Sequence, residues 1–354
     1  MSQQLTVSTA PHLHHPRSKT ENVMKIVTLA LLPPTLGGIY YFGINALLII
    51  LTSVITCVLT EYIAKRLRKQ PFINDYSAIV TGLLLALILP PTAPLWMVVL
   101  GAGFAIAIAK EAFGGLGYNI FNPALAGRAF LAISFALSMT NWVAPQPGFG
   151  VIDAVTTATP LSESFSWAGT TSELYTNMFL GNIGGCIGET SALLILIGGL
   201  ILLITRVIKW HVPVVYIGTV FVLTALLPAQ DPLFHILAGG LFLGAFYMAT
   251  DYTTTPMTVK GQIIFALGAG IMVVLIRVFG SMPEGVAFSI LLMNGFTPII
   301  DRYVRQKPYG YIKPERKSLP FFKKEKDEEC EECDHYKKDE KACNSDDKKG
   351  GGKA

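Results

Sequence analysis

The residues best suited to chemistry stand in one stretch, Asp153-Ala154-Val155-Thr156-Thr157-Ala158-Thr159-Pro160-Leu161. The hydroxyls of Thr156 and Thr159 lie three residues apart beside a carboxylate, with the small Ala158 before the second and Pro160 fixing the turn after it. Such a turn presents a Thr oxygen as an accessible acceptor for covalent modification. On composition alone, an ordinary solvated Thr-rich loop is the simpler reading. A second stretch, Gly114-Gly115-Leu116-Gly117-Tyr118-Asn119-Ile120-Phe121-Asn122-Pro123, puts three glycines, two asparagines and a proline beside apolar segments. Non-helical backbone at membrane depth is tolerated only when buried in protein or lining a polar cavity. Asn119 and Asn122 therefore belong to a tight re-entrant connection, to the lining of a cofactor or ion path, or to both.

Other candidates carry blander expectations. Glu61, Glu111, Glu189 and Asp251 fall near helix ends, where a carboxylate reaches water or caps a helix at little cost, and end-of-helix solvation is expected for each. Thr250, Asp251, Thr253 and Thr254 offer the oxygen ligands sodium prefers, but the same composition makes a loop. Cys330-Glu331-Glu332-Cys333-Asp334-His335 with Cys343 offers thiolate and imidazole to Zn or an Fe-S centre. Its spacing is incomplete for a zinc finger, so solvated cytosolic thiols are expected and no metal ligand is assigned. Cys57 and Cys186 read as small buried apolar residues. Only His211 and His235 border apolar segments, at opposite faces, which argues against a haem held between two histidines at one depth.

The elements that must position these residues follow from the charge distribution. Of 52 Lys, Arg, Asp and Glu, 28 lie after Ile300, leaving 24 in the first 300 residues, about 8% against roughly 25% in a typical soluble domain. A soluble globule of that size could not solvate its surface. Windows of about 20 apolar residues give ten membrane spans, near 24–42, 43–64, 75–90, 94–112, 124–142, 187–206, 211–228, 232–249, 261–279 and 283–300. The fold class is all-α and polytopic, with broken or re-entrant segments. Residues 1–23 read as a cytoplasmic amino-terminal segment without a signal peptide, 24–300 as the transmembrane domain with an external loop near 143–186, and 301–354 as a largely disordered cytoplasmic tail.

Cytoplasmic loops retain Lys and Arg. With the amino terminus inside, Lys65, Arg66, Arg68, Lys69, Lys110, Arg206, Lys209, Lys260 and the tail all fall inside, and only Arg277 stands near an outer end. Residues 129–205 hold no Lys or Arg in 77 positions, so the loop bearing Thr159 is external. Residues 89–108 match 227–246 at an offset of 138 with seven identities in 20, a candidate internal repeat. A net charge of +4 without a contiguous basic face makes nucleic acid an unsuitable partner; membrane lipid is the expected surroundings.

The Asp-x-x-Thr-x-Ala-Thr pattern is similar to the flavinylation motif of membrane subunits in ion-translocating electron-transfer complexes. Together with Ala10-Pro11-His12, Gly114 to Ala124, Gly188-Glu189-Thr190-Ser191 and Met248-Ala249-Thr250-Asp251, it makes residues 8 to 310 resemble the D subunits of Rnf complexes, in the NqrB/RnfD family. One departure is Thr157, where the motif is commonly written with Gly. The resemblance implies a multi-pass protein of a prokaryotic cytoplasmic membrane, with both termini cytoplasmic, in a ferredoxin:NAD+ oxidoreductase complex that relays electrons coupled to Na+ or H+ transport. It implies covalent FMN on Thr159, placed there by a separate flavin transferase, with Asp153, Thr156 and Ala158 recognised by that enzyme or packed against the ribityl phosphate. It further implies riboflavin within the helices, and the A, B, C, E and G subunits of such a complex as partners. The alternatives are the related subunit of a sodium-pumping NADH:quinone reductase, a secondary transporter or channel, and a purely structural membrane scaffold.

Overall fold

The computed structural model describes residues 6–7, 13–14, 20–70, 75–145, 156–157, 159–161, 169–227, 231–280 and 285–305. Its elements are, in order, β1 (Thr6–Val7), β2 (Leu13–His14), α1 (Thr20–Leu67), α2 (Ser77–Leu87), α3 (Leu95–Ile106), a π-turn over Ala107–Glu111, α4 (Pro123–Ser134) and α5 (Ala136–Met139). There follow β3 (Trp142–Val143), β4 (Thr156–Thr157), α6 (Thr171–Leu180), α7 (Ala192–Ile204), α8 (His211–Leu226), α9 (Pro232–Leu237), α10 (Leu241–Leu243) with a π-turn over Gly244–Met248, α11 (Val259–Phe279) and α12 (Val286–Tyr303). The four strands are two-residue antiparallel pairs, β1 with β2 and β3 with β4.

Two helices, Thr20–Leu67 and Val259–Phe279, are long and apolar enough by themselves to cross a bilayer; Ser77–Leu87, Pro123–Ser134, Ala192–Ile204 and His211–Leu226 are shorter apolar helices. Burial runs opposite to that of a water-soluble globule. Leu36, Ile55, Leu59 and Ile204 are exposed, while Lys110, Glu61 and Arg128 are buried. Lipid tails accept the first set, and the second needs partners inside the protein.

The two spans expected at 24–42 and 43–64 are one continuous assignment broken at Gly43, with φ 63° and ψ −145°. That left-handed backbone suits a residue without Cβ. Lys25 lies 4.9 Å over the Tyr76 ring. Beside Tyr76, Ser77 Oγ accepts from Lys110 Nζ at 2.6 Å, and Lys110 Nζ also donates to Glu61 Oε1 at 3.2 Å. A straight helix would set Lys25 and Glu61 about 54 Å apart at 1.5 Å per residue. The chain therefore folds back at Gly43 into a hairpin whose two ends meet. At its tip, Tyr41 donates to the Leu180 carbonyl at 2.8 Å.

Several spans are more broken than their hydropathy suggests. The expected helix at 124–142 stops at Ser134 and restarts for one turn. The one at 232–249 breaks between Leu237 and Leu241, where Gly239 and Gly240 both take φ 65°. The two segments of the candidate repeat each end in an irregularity: Ala112 N–H donates to Ala107 O at 2.9 Å and Ala249 N–H to Gly244 O at 2.7 Å, each across five residues. These wide turns close α3 and α10 at positions 137 apart, one residue from the sequence offset. The short α6 has no counterpart among the expected spans.

End-of-helix solvation does not describe Glu61 or Glu111. Both are buried, because cations on other turns and elements reach them: Lys65 Nζ lies 2.5 Å from Glu61, Lys110 is shared with it, and Arg68 pairs with Glu111. Removing Glu61 would leave Lys110 buried on Ser77 alone. Glu61→Ala is therefore expected to cost about 3–5 kcal/mol, read as a lower melting temperature in detergent. Lys25→Ala, whose Glu21 partner is half exposed, leaves that temperature unchanged.

Candidate functional site

Polar side chains gather at both ends of the bundle. At the end where the hairpin termini meet, the segments that follow the two π-turns touch. Asn122 caps α4, its Oδ1 accepting from Ala124 N–H at 3.1 Å and Leu125 N–H at 3.5 Å, with Pro123 preset at the first helical position. Its Nδ2 donates to Met248 O at 3.5 Å, in the second π-turn. Asn119 Nδ2 donates to Thr253 Oγ1 at 3.0 Å and Phe121 O at 3.2 Å, while its buried Oδ1 has no hydrogen-bond partner among the described residues.

The Thr-rich loop turns inward on Asp251. Thr253 Oγ1 donates to Asp251 Oδ2 at 2.9 Å and Thr254 Oγ1 at 3.4 Å, while Thr250 Oγ1 donates to Phe246 O at 2.6 Å. Burial pushes the Asp251 carboxyl above the ordinary carboxylate range, against these bonds, which lower it. Ser77, Lys110, Asn119, Asn122, Asp251 and Thr253 line a cavity of about 80 Å³. Val23, Met24 and Val27 of α1 and Val207 and Ile208 add apolar walls. Sites for small molecules usually run to about 300–1,000 Å³. The donor set suits the polar edge of a flavin, but the cavity as it stands takes only a few waters and is too small for a riboflavin.

Thr159 lies at the other end. With Gly184, Gly185, Glu189, Ala238 and Gly239 it lines a cleft of about 40 Å³, beyond the Leu180 carbonyl that the hairpin tip grips. Thr159 is 6% exposed, so the accessible acceptor expected from the sequence is instead buried. The cause is visible two residues on: Leu161 packs into a small second core with Leu174, Met178, Ile183 and Ala238 and draws the turn down. Thr156 and Thr157 pair with Val143 and Trp142, so the departing motif residue Thr157 is held in a strand. Asp153 and Ala158 lie outside the described residues, as do Cys330, Cys333, His335 and Cys343.

Arg277 has no mark of a site residue in the sequence, where it is conspicuous only as the one cation against the loop pattern. Its Nη1 donates to His235 O at 2.6 Å, and its Nη2 to Ala238 O at 3.0 Å and Gly239 O at 3.1 Å, the carbonyls freed where α9 stops. Glu189 lies so close that a Cβ on Gly240 would collide with its carboxylate. Arg128 lines the inward continuation of the cleft with Glu189, Gly239 and Gly240, and donates to Cys186 Sγ at 3.4 Å. Of the two histidines, His211 Nε2 lies 2.7 Å from Gln262 Oε1, while His235 is buried beside the Arg277 contact.

Apolar helices broken around interior polar groups, with loop cations gathered at one end, define a polytopic membrane protein. The chain belongs to the NQR2, RnfD, RnfE family, which it matches over residues 6–310. It is similar to the D subunit of the proton-translocating ferredoxin:NAD(+) oxidoreductase complex of Clostridium ljungdahlii, 48% identical over 320 residues that span 86% of this chain and 96% of the relative. The D subunit of the Na(+)-translocating ferredoxin:NAD(+) oxidoreductase complex of Acetobacterium woodii is 48% identical over 315 residues, 87% and 96% of the two chains. The D subunit of the ion-translocating oxidoreductase complex of Stutzerimonas stutzeri is 40% identical over 329 residues, 83% and 93%.

The Asn122 geometry yields a direct test. Asn122→Ala removes both the helix cap and the bond to Met248 and is expected to cost about 1–2 kcal/mol. Asn122→Ser keeps a neutral cap acceptor and loses the donor to Met248, so its melting temperature in detergent falls between those of wild type and the alanine variant.

Proposed function

We propose that the chain is a membrane subunit of a redox-driven, ion-translocating complex of the ferredoxin:NAD+ oxidoreductase type, carrying FMN as a phosphoester on Thr159. The observation that carries the reading is the seating of Thr159. The last threonine of the motif sits in a glycine-lined cleft at the end of the bundle opposite the loop cations. Kinship supports the rest, since relatives of this length and identity are named as subunits of such complexes. Their names give H+ in one case and Na+ in the other at equal identity.

The cleft fits a small anionic link and not a tricyclic ring; about 40 Å³ is room for two or three waters. The chain would thus anchor the phosphoryl group and leave the ring outside this cleft. In the modification, the Thr159 oxygen loses its proton and replaces AMP on the FMN phosphorus of FAD, breaking the pyrophosphate bond. A separate flavin transferase is the expected catalyst, recognising Asp153, Thr156 and Ala158. When bound, the isoalloxazine supplies one- and two-electron redox chemistry; the protein supplies attachment and electrostatics. A bilayer core about 30 Å thick separates the two ends, so carriers on partner proteins, by resemblance the A, B, C, E and G subunits, are needed to bring electrons across. Asn119 and Asn122 are proposed for a second, non-covalent flavin, riboflavin, which requires the inner cavity to widen.

Coexpression with the transferase should give a denatured band with flavin fluorescence, and the peptide containing Thr159 should carry the mass of an FMN phosphoryl group. Thr159→Val should abolish both; an unmodified wild-type peptide overturns the assignment. Orientation has its own test in chains whose tail cysteines are serine. An impermeant thiol reagent added outside cells should label Ser172→Cys and not Lys69→Cys, both exposed positions on opposite ends of the bundle. The reverse labelling puts Thr159 in the cytosol.

A further inference from the structure

The cleft that holds Thr159 is lined in part by the connection between α6 and α7, through Ile183, Gly184, Gly185 and Thr190. Other amides of that connection have acceptors. Gly181 and Asn182 N–H donate to Asn177 O at 2.8 and 2.9 Å, Ile187 N–H to Leu89 O at 3.1 Å, Gly188 N–H to Leu87 O at 2.8 Å and Glu189 N–H to Cys186 O at 3.2 Å. The N–H groups of Gly184 and Gly185 have no acceptor among the described residues. Gly184 is buried and Gly185 half-buried. Buried N–H groups without an acceptor are rare in proteins, and lipid offers none. Two in succession on the lining of one cleft point to an acceptor held there.

Thr190 adds a hydroxyl to the same lining. It is 8% exposed, and its Oγ has no hydrogen-bond partner among the described residues. It immediately precedes Ser191, whose Oγ accepts from Leu194 N–H at 3.4 Å and caps α7. The opening amides of a helix carry partial positive charge and favour anions, and α7 runs for 13 residues. Glu189 is the acidic residue on this lining, but its carboxylate is set against Gly240, which belongs to the inward continuation. A phosphodiester carries one negative charge over two free oxygens, each able to accept more than one hydrogen bond. About 40 Å³ admits such a link, and bonds from N–H groups to an anionic oxygen are roughly twice as strong as neutral ones.

We propose that the backbone N–H groups of Gly184 and Gly185 and the hydroxyl of Thr190, at the head of α7, form an anion site that receives the phosphoryl link on Thr159. This rests on the covalent attachment proposed above. The three are positioning groups: they take no part in electron transfer and fix where the tether begins. The site is neutral, so it holds the link by directed donors and a helix terminus, without a cation on the cleft lining.

The test compares how much attachment stabilises the full chain in each background. The melting temperature of the flavinylated chain in detergent is measured against that of its Thr159→Val counterpart, in wild type, Thr190→Val, Thr190→Ser, Gly185→Pro and Gly185→Ala. Proline removes the N–H, whereas alanine keeps it and brings a Cβ only to 3.8 Å from Thr190 Cγ2, an ordinary contact. The wild type should gain on flavinylation. The gain should fall below half in Thr190→Val and Gly185→Pro and persist in Thr190→Ser and Gly185→Ala. The phosphorus-31 resonance of the link should shift in the first two and hold its place in the others. A merely structural role lowers both members of a pair alike and leaves that resonance unmoved, so an unchanged gain in Thr190→Val or Gly185→Pro overturns the proposal. If Gly185→Pro fails to fold, Thr190→Val alone decides. A wild type without fluorescence on the denatured chain refutes attachment itself, whereas a flavinylated wild type whose gain is absent or indifferent to these donors refutes only the anion site.

Discussion

Each interruption of a helix in this bundle frees N–H and C=O groups that lipid cannot hydrogen-bond, at several kcal/mol apiece if left unpaired. The structure meets that cost locally at several of the described breaks. Arg277 collects three carbonyls where α9 stops. Asn122 takes the amides opening α4 and donates to the second π-turn. Ile187 and Gly188 N–H groups donate to Leu89 and Leu87 carbonyls at 3.1 and 2.8 Å, closing the end of α2. Tyr247 donates to Ala30 O at 2.8 Å from within the second wide turn. Polar side chains inside the bundle thus mark where the backbone opens, and both candidate sites lie at such openings.

Close packing makes these repairs possible. Gly198 lies against the Ala30 carbonyl and the Tyr247 hydroxyl, so that a Cβ would collide with both. A Cβ on Gly127 of α4 would likewise stand 2.9 Å from the Gly101 carbonyl. Small residues that let helix backbones approach do in lipid what large apolar side chains do in water, since lipid tails give no hydrophobic reward for association. The buried chain from Lys65 through Glu61 and Lys110 to Ser77 and Asp75 adds specificity at the basic end, tying the hairpin of α1 to α2 and to the first π-turn.

Much of the scaffold is legible in the chain because lipid imposes one strong signal, length of apolar run. The boundary near residue 43 coincides with the reversal at Gly43. The break inside 232–249 is hidden because Leu237-Ala238-Gly239-Gly240-Leu241 reads as uninterrupted hydrophobicity, although the paired glycines are its mark. The short α6 has a readable start as well, with Glu173 Oε2 accepting from Thr170 N–H at 3.2 Å as a capping box. Windows tuned to spans pass over it. Pairing over distance is not written locally: Glu61 meets Lys65 four residues away, as spacing suggests, but also Lys110, 49 residues on. The burial of Thr159 is equally illegible, because it depends on where Leu161 finds apolar neighbours rather than on the motif. Arg277 shows in the sequence only as an exception to a counting rule, and its role depends on three-dimensional neighbours.

The first turn of α1 supplies Val23, Met24 and Val27 to the wall of the cavity lined by Asn119 and Asp251. That wall belongs to the very start of the described helix, immediately after the amino-terminal stretch, and not to the middle of the bundle. The chamber thus takes part of its lining from the protein's edge. Bulk or charge introduced at Val23, Met24 or Val27 would therefore change the room beside Asn119 and Asp251 from the first turn of a helix, far in sequence from both.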